Sequence, residues 1–240
     1  MTGAAREAAM ATAILQARMS SSRLPGKVLR SLLGQPMILR QIERLRRCRR
    51  LERIVVATSE APSDDILVQV LAEAGVETAR GPLEDVLGRF IQVMDTLGLE
   101  GDLVRLTADC PLADPVVIDA CIEMRTQGGF DYVSNGQVRT WPRGLDVEVF
   151  TSEALRRAHA EATSAHDREH VTPWLYRPGA PFRRGDLVQD RDDSALRWTV
   201  DLPADFSFVE RVYAALYPAN PAFTSADILA LPFSRRETDV

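Results

Sequence analysis

"ATAILQARMSSSRLPGK", residues 11–27, is the stretch on which the fold turns. Its first part is short and mostly apolar, the length and character of a buried strand. It then breaks into Ser20, Ser21, Ser22, Pro25 and Gly26, residues that make turns. It ends on Lys27, the only lysine of a chain that also holds 28 arginines. The spacing predicts a buried strand that runs into a polar loop.

Outward from that loop the chain alternates. "PMILRQIERLRR" (36–47) places Met37, Ile38, Gln41, Ile42 and Leu45 at helical spacing, with Pro36 in the first turn. "RIVVATS" (53–59), "VETARG" (76–81) and "DLVRLTADCP" (102–111) read as further strands with their loops. "SDDILVQVLAEAG" (63–75) reads as a helix capped by Ser63 and stopped by Gly75. "LEDVLGRFIQVMDTLG" (83–98) and "PVVIDACIEMRTQG" (115–128) are two more helices. Strand and helix thus alternate four times up to residue 128, the pattern of an α/β protein whose parallel sheet carries helices on both faces. In such sheets ligands bind beyond the carboxyl ends of the strands. The loops to watch are therefore Arg18 to Lys27, Thr58–Ser59, Arg80–Gly81 and Thr107 to Pro111.

After residue 130 the rhythm changes. "DYVSN" (131–135), "GLDVEVFT" (144–151) and the head of "LRWTVDLPADFSFVERVYAALYP" (196–218) predict strands, and the last segment turns helical near Pro203. "SEALRRAHAEA" (152–162) is a helix and "DREHVTPWLYRPG" (167–179) a shorter helical piece. The expectation is one domain, 12–233, whose second half (131–233) extends the sheet and adds an arm or lid. The ends, 1–11 and 234–240, are expected to be flexible.

Bulk properties narrow the class. The chain has 240 residues, 45% hydrophobic and 26% charged, so one core suffices without staples. No apolar run approaches the ~20 residues of a membrane span. The start lacks a basic stretch followed by a long apolar one, so no secretory leader is expected. Three cysteines without C-x-x-C spacing (Cys48, Cys110, Cys121) suit reduced thiols and a cytoplasmic home. A net charge of −5 does not steer nucleic acid. Cations nevertheless crowd residues 18–53, so an anionic ligand is expected near the start of the chain. "RLRRCRR" (44–50) is open to two readings, a solvated helix face or a binding patch.

The loops suggest chemistry. Gly26-Lys27 looks like the end of G-x-x-x-x-G-K-[ST], but Val28 follows the lysine and no glycine stands five positions before Gly26, which excludes that phosphate loop. Nor is the loop G-x-G-x-x-G. What remains, Arg18, Arg23, Lys27 and three serines, suits a polyphosphate: arginines fork onto phosphate oxygens and a lysine acts as a compact charge. Asp109, just past the fourth strand, stands where a carboxylate can hold Mg²⁺ together with phosphates. Asp201, after the apolar run of 196–200, is a second such carboxylate if its strand lies beside that of Asp109. Asp114 and Asp205 read as helix caps instead. Asp146 and Glu148 share one strand face, which suits a polyhydroxylated ligand, a metal, or plain solvent. His170 is either a structural hydrogen-bonder or a base. Zinc spacing and G-x-S-x-G are absent from the sequence.

Taken together, "AILQARMSSSRLPGKVL", "DVLGRF", "RLTADCPLADP", "DYVSN", "GLDVEVF", "REHVTP" and "TVDLPADF" resemble the SpsF-like cytidylyltransferases, relatives of the CMP-Kdo and CMP-acylneuraminate synthetases. The resemblance spans residues 12–216. It implies a Rossmann-like three-layer α/β/α sandwich with a mostly parallel sheet, of the nucleotide-diphospho-sugar transferase type. It implies transfer of a cytidylyl group from CTP to a sugar acceptor, with Mg²⁺ as cofactor and release of pyrophosphate. By similarity Arg18 and Lys27 contact the triphosphate, with Ala17, Ser22, Arg23 and Thr107 around the nucleotide. Asp109 and Asp201 match the family's metal carboxylates, and Asp85 and Arg89 would lie near the nucleoside. Asn135, Arg143, Asp146, Glu148, Arg168 and His170 would face the acceptor, some of them within a homodimerisation arm. One departure stands out: the Kdo synthetases place Asp-Glu-Pro where this chain has Asp109-Cys110-Pro111. The alternatives are a sugar-1-phosphate nucleotidylyltransferase using another NTP and a non-catalytic nucleotide-binding protein. A glycosyltransferase is disfavoured, because Thr107-Ala108-Asp109 is not Asp-x-Asp.

Overall fold

The computed structural model describes residues 10–235. The alternating half comprises β1 (Ala11–Gln16), the hairpin strands β2 (Ser31–Leu32) and β3 (Gln35–Pro36), α1 (Met37–Leu45), β4 (Leu51–Ser59), α2 (Asp65–Glu73), β5 (Thr78–Gly81), α3 (Val86–Leu97), β6 (Asp102–Thr107) and α4 (Pro115–Gly128). The second half contains β7 (Tyr132–Ser134), β8 (Glu148–Thr151), α5 (Ser152–Glu161), α6 (Ala165–His170), α7 (Pro173–Tyr176), β9 (Arg184–Asp186), α8 (Pro203–Leu216) and α9 (Ser225–Leu229).

Seven strands form one sheet in the order β5-β4-β1-β6-β8-β7-β9. β1 pairs in parallel with β4 on one edge and β6 on the other, whereas β8 runs antiparallel to both β6 and β7. The chain lays down β4 and β5 to one side of β1, then crosses to place β6 on the other. The loops after β1 and β6 part at that switch, where open α/β sheets bind ligands.

β1 shows why the sheet is covered twice. Its alternate side chains enter different cores: Ala11, Ala13 and Leu15 pack with Ile38 and Ile42 of α1 and with Ile118 and Ile122 of α4. Ile14 faces the other way, among Leu87 and Phe90 of α3 and Leu155 of α5. A period of two on a strand buried on both faces demands apolar residues throughout. A third cluster, built on Trp198, Val209, Val212 and Tyr213, packs α8 across the sheet end. The architecture is the mostly parallel α/β/α sandwich expected.

Several local expectations are met for visible reasons. α4 starts at Pro115, with the Asp114 carboxylate accepting from Val116 N at 2.9 Å, and Gly129 ends it at φ 60°. Asp205 caps α8 by accepting from Asp201 N and Leu202 N, each at 2.8 Å. Others are not. Ser63 is not a cap: Pro62–Asp64 form a 3₁₀ turn and α2 begins at Asp65. Residues 196–201 do not form a strand of the sheet. They are bridged to Arg143 through Arg143 N to Leu196 O (2.9 Å) and Trp198 N to Arg143 O (2.7 Å). The piece 167–179 splits into α6 and α7 around Val171.

Most of the ends expected to be flexible lie outside the described residues. At their inner limits Ala11 already pairs in β1, and Ser234 is buried with its carbonyl accepting from Trp198 Nε1 at 3.2 Å. Among the described residues no helix is long and apolar enough to cross a membrane.

Gly144 lets residues 196–201 approach. It sits at φ +105°, and a Cβ there would lie 2.5 Å from Thr199 N and 2.6 Å from the Trp198 carbonyl carbon. Gly144→Ala is expected to destabilise the protein by more than about 1 kcal/mol, read as a lower midpoint in urea denaturation; an unchanged midpoint would refute the close approach.

Candidate active site

The loop after β1 is a fixed structure. The ladder runs one step past the strand on both sides, through Ala17 N to Ala57 O (3.1 Å) and Ala108 N to Gln16 O (2.9 Å). The chain then folds over the Met19 carbonyl, which accepts from Ser21 N at 2.9 Å and Gly26 N at 3.0 Å. Gly26, at φ +68°, turns the chain into a 3₁₀ turn whose first residue is Lys27. Asp64 pins the loop from behind: its buried carboxylate accepts from Met19 N (2.7 Å), Thr58 Oγ1 (3.0 Å), Ser59 N (3.1 Å) and the Ser59 hydroxyl. Four donors offset the cost of burying that charge.

This loop, the end of β6 and the segment at Asp201 enclose a cleft of about 360 Å³. Of the residues singled out in the sequence, Ala17, Arg18, Ser22, Arg23, Lys27, Thr107, Asp109, His170 and Asp201 all line it. The adjacency of Asp109 and Asp201, conditional in the sequence, holds through the backbone: Val200 N donates to Asp109 O at 2.7 Å. Lys27 joins the two. Its Nζ donates to Val200 O at 2.7 Å, to Asp201 Oδ1 at 3.1 Å and to Asp109 Oδ2 at 3.3 Å. Arg23 and Arg197 also reach Asp201, at 3.0 and 2.6 Å. Burial alone would raise the Asp201 pKa. Lys27, then Arg197 and Arg23, outweigh it and hold the carboxyl below its ordinary value. Asp109 Oδ1 accepts from Thr107 Oγ1 at 2.6 Å, which fixes its rotation.

A second cavity of about 250 Å³ shares Thr107 with the cleft and is lined by Arg105, Arg139, Asp146 and Glu148. Asp146 and Glu148 do share a face, and each is paired with an arginine: Arg139 with Asp146, Arg105 with Glu148. Glu148 also accepts from Tyr132 OH (2.7 Å) and Thr172 Oγ1 (2.5 Å). The sequence reading passed over Arg105 and Arg139. The signal for Arg105 was an arginine inside an otherwise apolar strand.

Other residues singled out do not reach either cavity. Asn135 is buried with its amide spent on backbone, donating to Leu145 O (2.7 Å) and accepting from Val147 N (2.8 Å). Arg89, on α3, is buried, its guanidinium on the Pro82 and Leu83 carbonyls. Asp85 caps α3 by accepting from Gly88 N (2.9 Å) and pairs with Arg168, tying α6 to the head of α3. Arg143 is exposed, its backbone bridged to the 196–198 segment. "RLRRCRR" keeps a solvated face at Arg46 and Arg49, which are exposed, but most of its cations are paired. Arg44 is buried against Phe223 and donates to Ala113 O (2.8 Å), while Arg47, Arg49 and Arg50 pair with Glu43, Asp119 and Glu123.

A loop of fixed amides, three cations and two carboxylates at a sheet's switch point is suited to binding a polyphosphate and moving one of its phosphoryl groups. Comparison with known proteins agrees. Residues 12–217 match the family model described as Cytidylyltransferase. The chain belongs to the cytidylyltransferase family. It is 38% identical over 196 residues to an uncharacterized protein of Methanocaldococcus jannaschii, covering 80% of this chain and 79% of that one. It is 31% identical over 207 residues to the spore coat polysaccharide biosynthesis protein SpsF of Bacillus subtilis, covering 83% and 85%. A cytidylyltransferase structure from Leptospira borgpetersenii superposes with a TM-score of 0.85 at 29% identity, over 92% of each chain. The protein is thus a nucleotidyltransferase of the SpsF-like kind, on the nucleotide-diphospho-sugar transferase fold.

Within this cytidylyltransferase, Asp64→Ala would strand the Met19, Thr58 and Ser59 donors, and a loss of ~1–3 kcal/mol in urea denaturation is expected; no loss would remove Asp64 as the loop's anchor. The thiols are expected to be inert. Burial pushes Cys121 up to about 12; burial and then Asp109 push Cys110 up, and burial with Asp119 and Asp114 pushes Cys48 up. Because the thiolate is the nucleophile, at pH ~8 an aromatic disulfide reagent should label the native protein far more slowly than the urea-unfolded one; fast native labelling would contradict this.

Proposed function

We propose that this cytidylyltransferase transfers the cytidylyl group of CTP to a sugar acceptor, a keto-acid sugar or a sugar phosphate, for surface polysaccharide or glycan synthesis. The observation that carries the reading is Lys27 Nζ held between Asp109 and Asp201 on the floor of a cleft that Arg18 and Arg23 also line. The cavity lined by Arg105, Arg139, Asp146 and Glu148 opens beside it at Thr107 and suits the acceptor. Its paired charges offer donors and acceptors to hydroxyl groups.

In the reaction the acceptor oxygen attacks the α-phosphorus in line, a new P–O bond forms and the bond to the β-phosphate breaks. Holding the two reactants together supplies much of the acceleration in such a step. Arg18 and Lys27 neutralise charge that accumulates on the departing pyrophosphate. The donor set fits a hard divalent cation: two carboxylate groups converge on one point, and Mg²⁺ sites in nucleotide enzymes use one or two carboxylates completed by substrate phosphates. Asp109 and Asp201 would hold Mg²⁺, which supplies Lewis-acid stabilisation of phosphoryl charge. The reading includes a cytoplasmic enzyme and a homodimer formed through the 131–233 half, where Val138 and Val188 are 53% and 50% exposed.

Pyrophosphate release measured with CTP, ATP, GTP and UTP against a panel of keto-acid sugars and sugar phosphates tests the proposal. Release is expected with CTP. Lys27→Ala is expected to lower kcat/KM by about 10²–10³ with an unchanged far-UV spectrum. No release with any nucleotide, together with no CTP-dependent thermal shift, would sink the reading; preference for another nucleotide would reassign the base.

A further inference from the structure

Lys27 has another consequence. All three N–H donors of an ammonium are spent, on Val200 O, Asp201 Oδ1 and Asp109 Oδ2 at 2.7, 3.1 and 3.3 Å. The side chain is only 11% exposed. The ammonium therefore stands at the point where the two carboxylates converge, which is where a divalent cation bound to both would have to sit. Its neighbours deepen the effect. Arg23 and Arg197 contact Asp201 as well, and Arg197 also reaches Asp205 at 3.5 Å, so three cations answer three carboxylates, and Arg18 lines the same cleft. A divalent cation that arrives alone meets carboxylates that are already matched by cations. It would also have to shed water, which Mg²⁺ does reluctantly. Among the described residues no group of three or more His, Cys, Asp or Glu side chains gathers to hold an ion, so the protein's own donors do not complete a shell. A triphosphate changes both terms. It makes the cleft's charge negative, offers oxygens to the metal, and offers Lys27 new acceptors.

We propose that Lys27 is the resident counter-ion of the metal position: without a triphosphate it occupies Asp109 and Asp201 and keeps the divalent cation out, and it releases them when phosphate oxygens take its place. Metal and nucleotide then bind as a coupled pair. The inference rests on the metal-dependent reading above and adds the coupling and the residue that enforces it. Linkage makes the coupling reciprocal: whatever factor the triphosphate gives the metal, the metal gives the triphosphate, typically roughly 5–150-fold.

The test uses Mn²⁺ as a spectroscopic probe, titrated by electron paramagnetic resonance into the full chain. Wild type, Lys27→Met and the double variant Lys27→Met/Asp201→Asn are compared without nucleotide. Lys27→Met is expected to bind Mn²⁺ at least ~10-fold tighter than wild type, within the usual range of coupling. Mn²⁺ alone should raise the melting temperature of Lys27→Met and leave that of wild type in place. The gain should vanish in the double variant, which locates the ion. In wild type, inorganic tripolyphosphate should tighten protein-bound Mn²⁺ by a similar factor, a measurement that needs no variant. Equal Mn²⁺ affinity in wild type and Lys27→Met, survival of the gain in the double variant, or no effect of tripolyphosphate on wild type would each overturn the proposal. Failure of the CTP reading looks different: Mn²⁺ and tripolyphosphate would still be coupled through Lys27, while CTP supported no pyrophosphate release.

Discussion

β1 is hydrogen-bonded along both edges and packed on both faces, and the cleft depends on that. A strand with no free edge and no free face leaves its carboxyl end as the one place where its polar groups can meet a ligand. The pairing of Gln16 with both Ala57 and Thr107 brings the loops after β4 and β6 to the same height. Asp64 then reaches back from the first of these to Met19 N, and Asp109 stands on the second. The site is thus a by-product of sheet register: shift β1 by one residue and its core faces exchange, while Lys27 and Asp109 lose their meeting point.

The chain's unequal use of cations follows from geometry. Its arginines act as planar braces: Arg53 forks onto Glu77 at 2.6 and 2.8 Å, and Arg89 spans two carbonyls. Arg44 lies over the Phe223 ring, 4.1 Å from its centroid. Those tasks call for a rigid, flat fork. The position between Asp109, Asp201 and Val200 calls for something else. Three acceptors from three directions converge on one atom, which a compact ammonium satisfies and a guanidinium does not. A single lysine among arginines is therefore more than a quirk of composition, since its neighbours define a place that only a point charge fills.

What was legible in the sequence was what depends on local pattern. Strand and helix periods and the Asp114 cap are set within a few residues, and they emerged as expected. Lys27 and Asp109 likewise stand where the alternating pattern puts them, on loops after strands, whereas Asp201 reaches the cleft although the strand expected before it does not form. What depended on contacts distant in sequence was not legible. Asp64 binds a loop 45 residues earlier, a contact that no local pattern announces. Asn135 and Arg89 sit in segments that match the family, yet their polar atoms are consumed by neighbouring carbonyls and amides. The run 196–201 has strand composition but joins no strand of the sheet; its backbone bonds to Arg143 and Asp109 instead, because Gly144 admits it there and the sheet edge at β6 is already occupied by β8.

Between the cleft and the second cavity the backbone carries strain. Val171 adopts φ 72° and ψ −56°, and Thr172 N donates to His170 O at 2.9 Å. This is a γ-turn centred on a β-branched residue, a conformation that costs of order 1–3 kcal/mol and persists only where its surroundings enforce it. Here they do. Val171 is fully buried in the core beside Trp174 and Leu175, and Thr172 Oγ1 is bonded to Glu148 at 2.5 Å. On one side of the turn His170 lines the Lys27 cleft; on the other, Thr172 holds the glutamate that lines the neighbouring cavity. An unstrained helix running on from α6 would carry the residues after His170 away from Glu148. The tight turn lets one short segment serve both cavities, and the burial of Val171 keeps it in place.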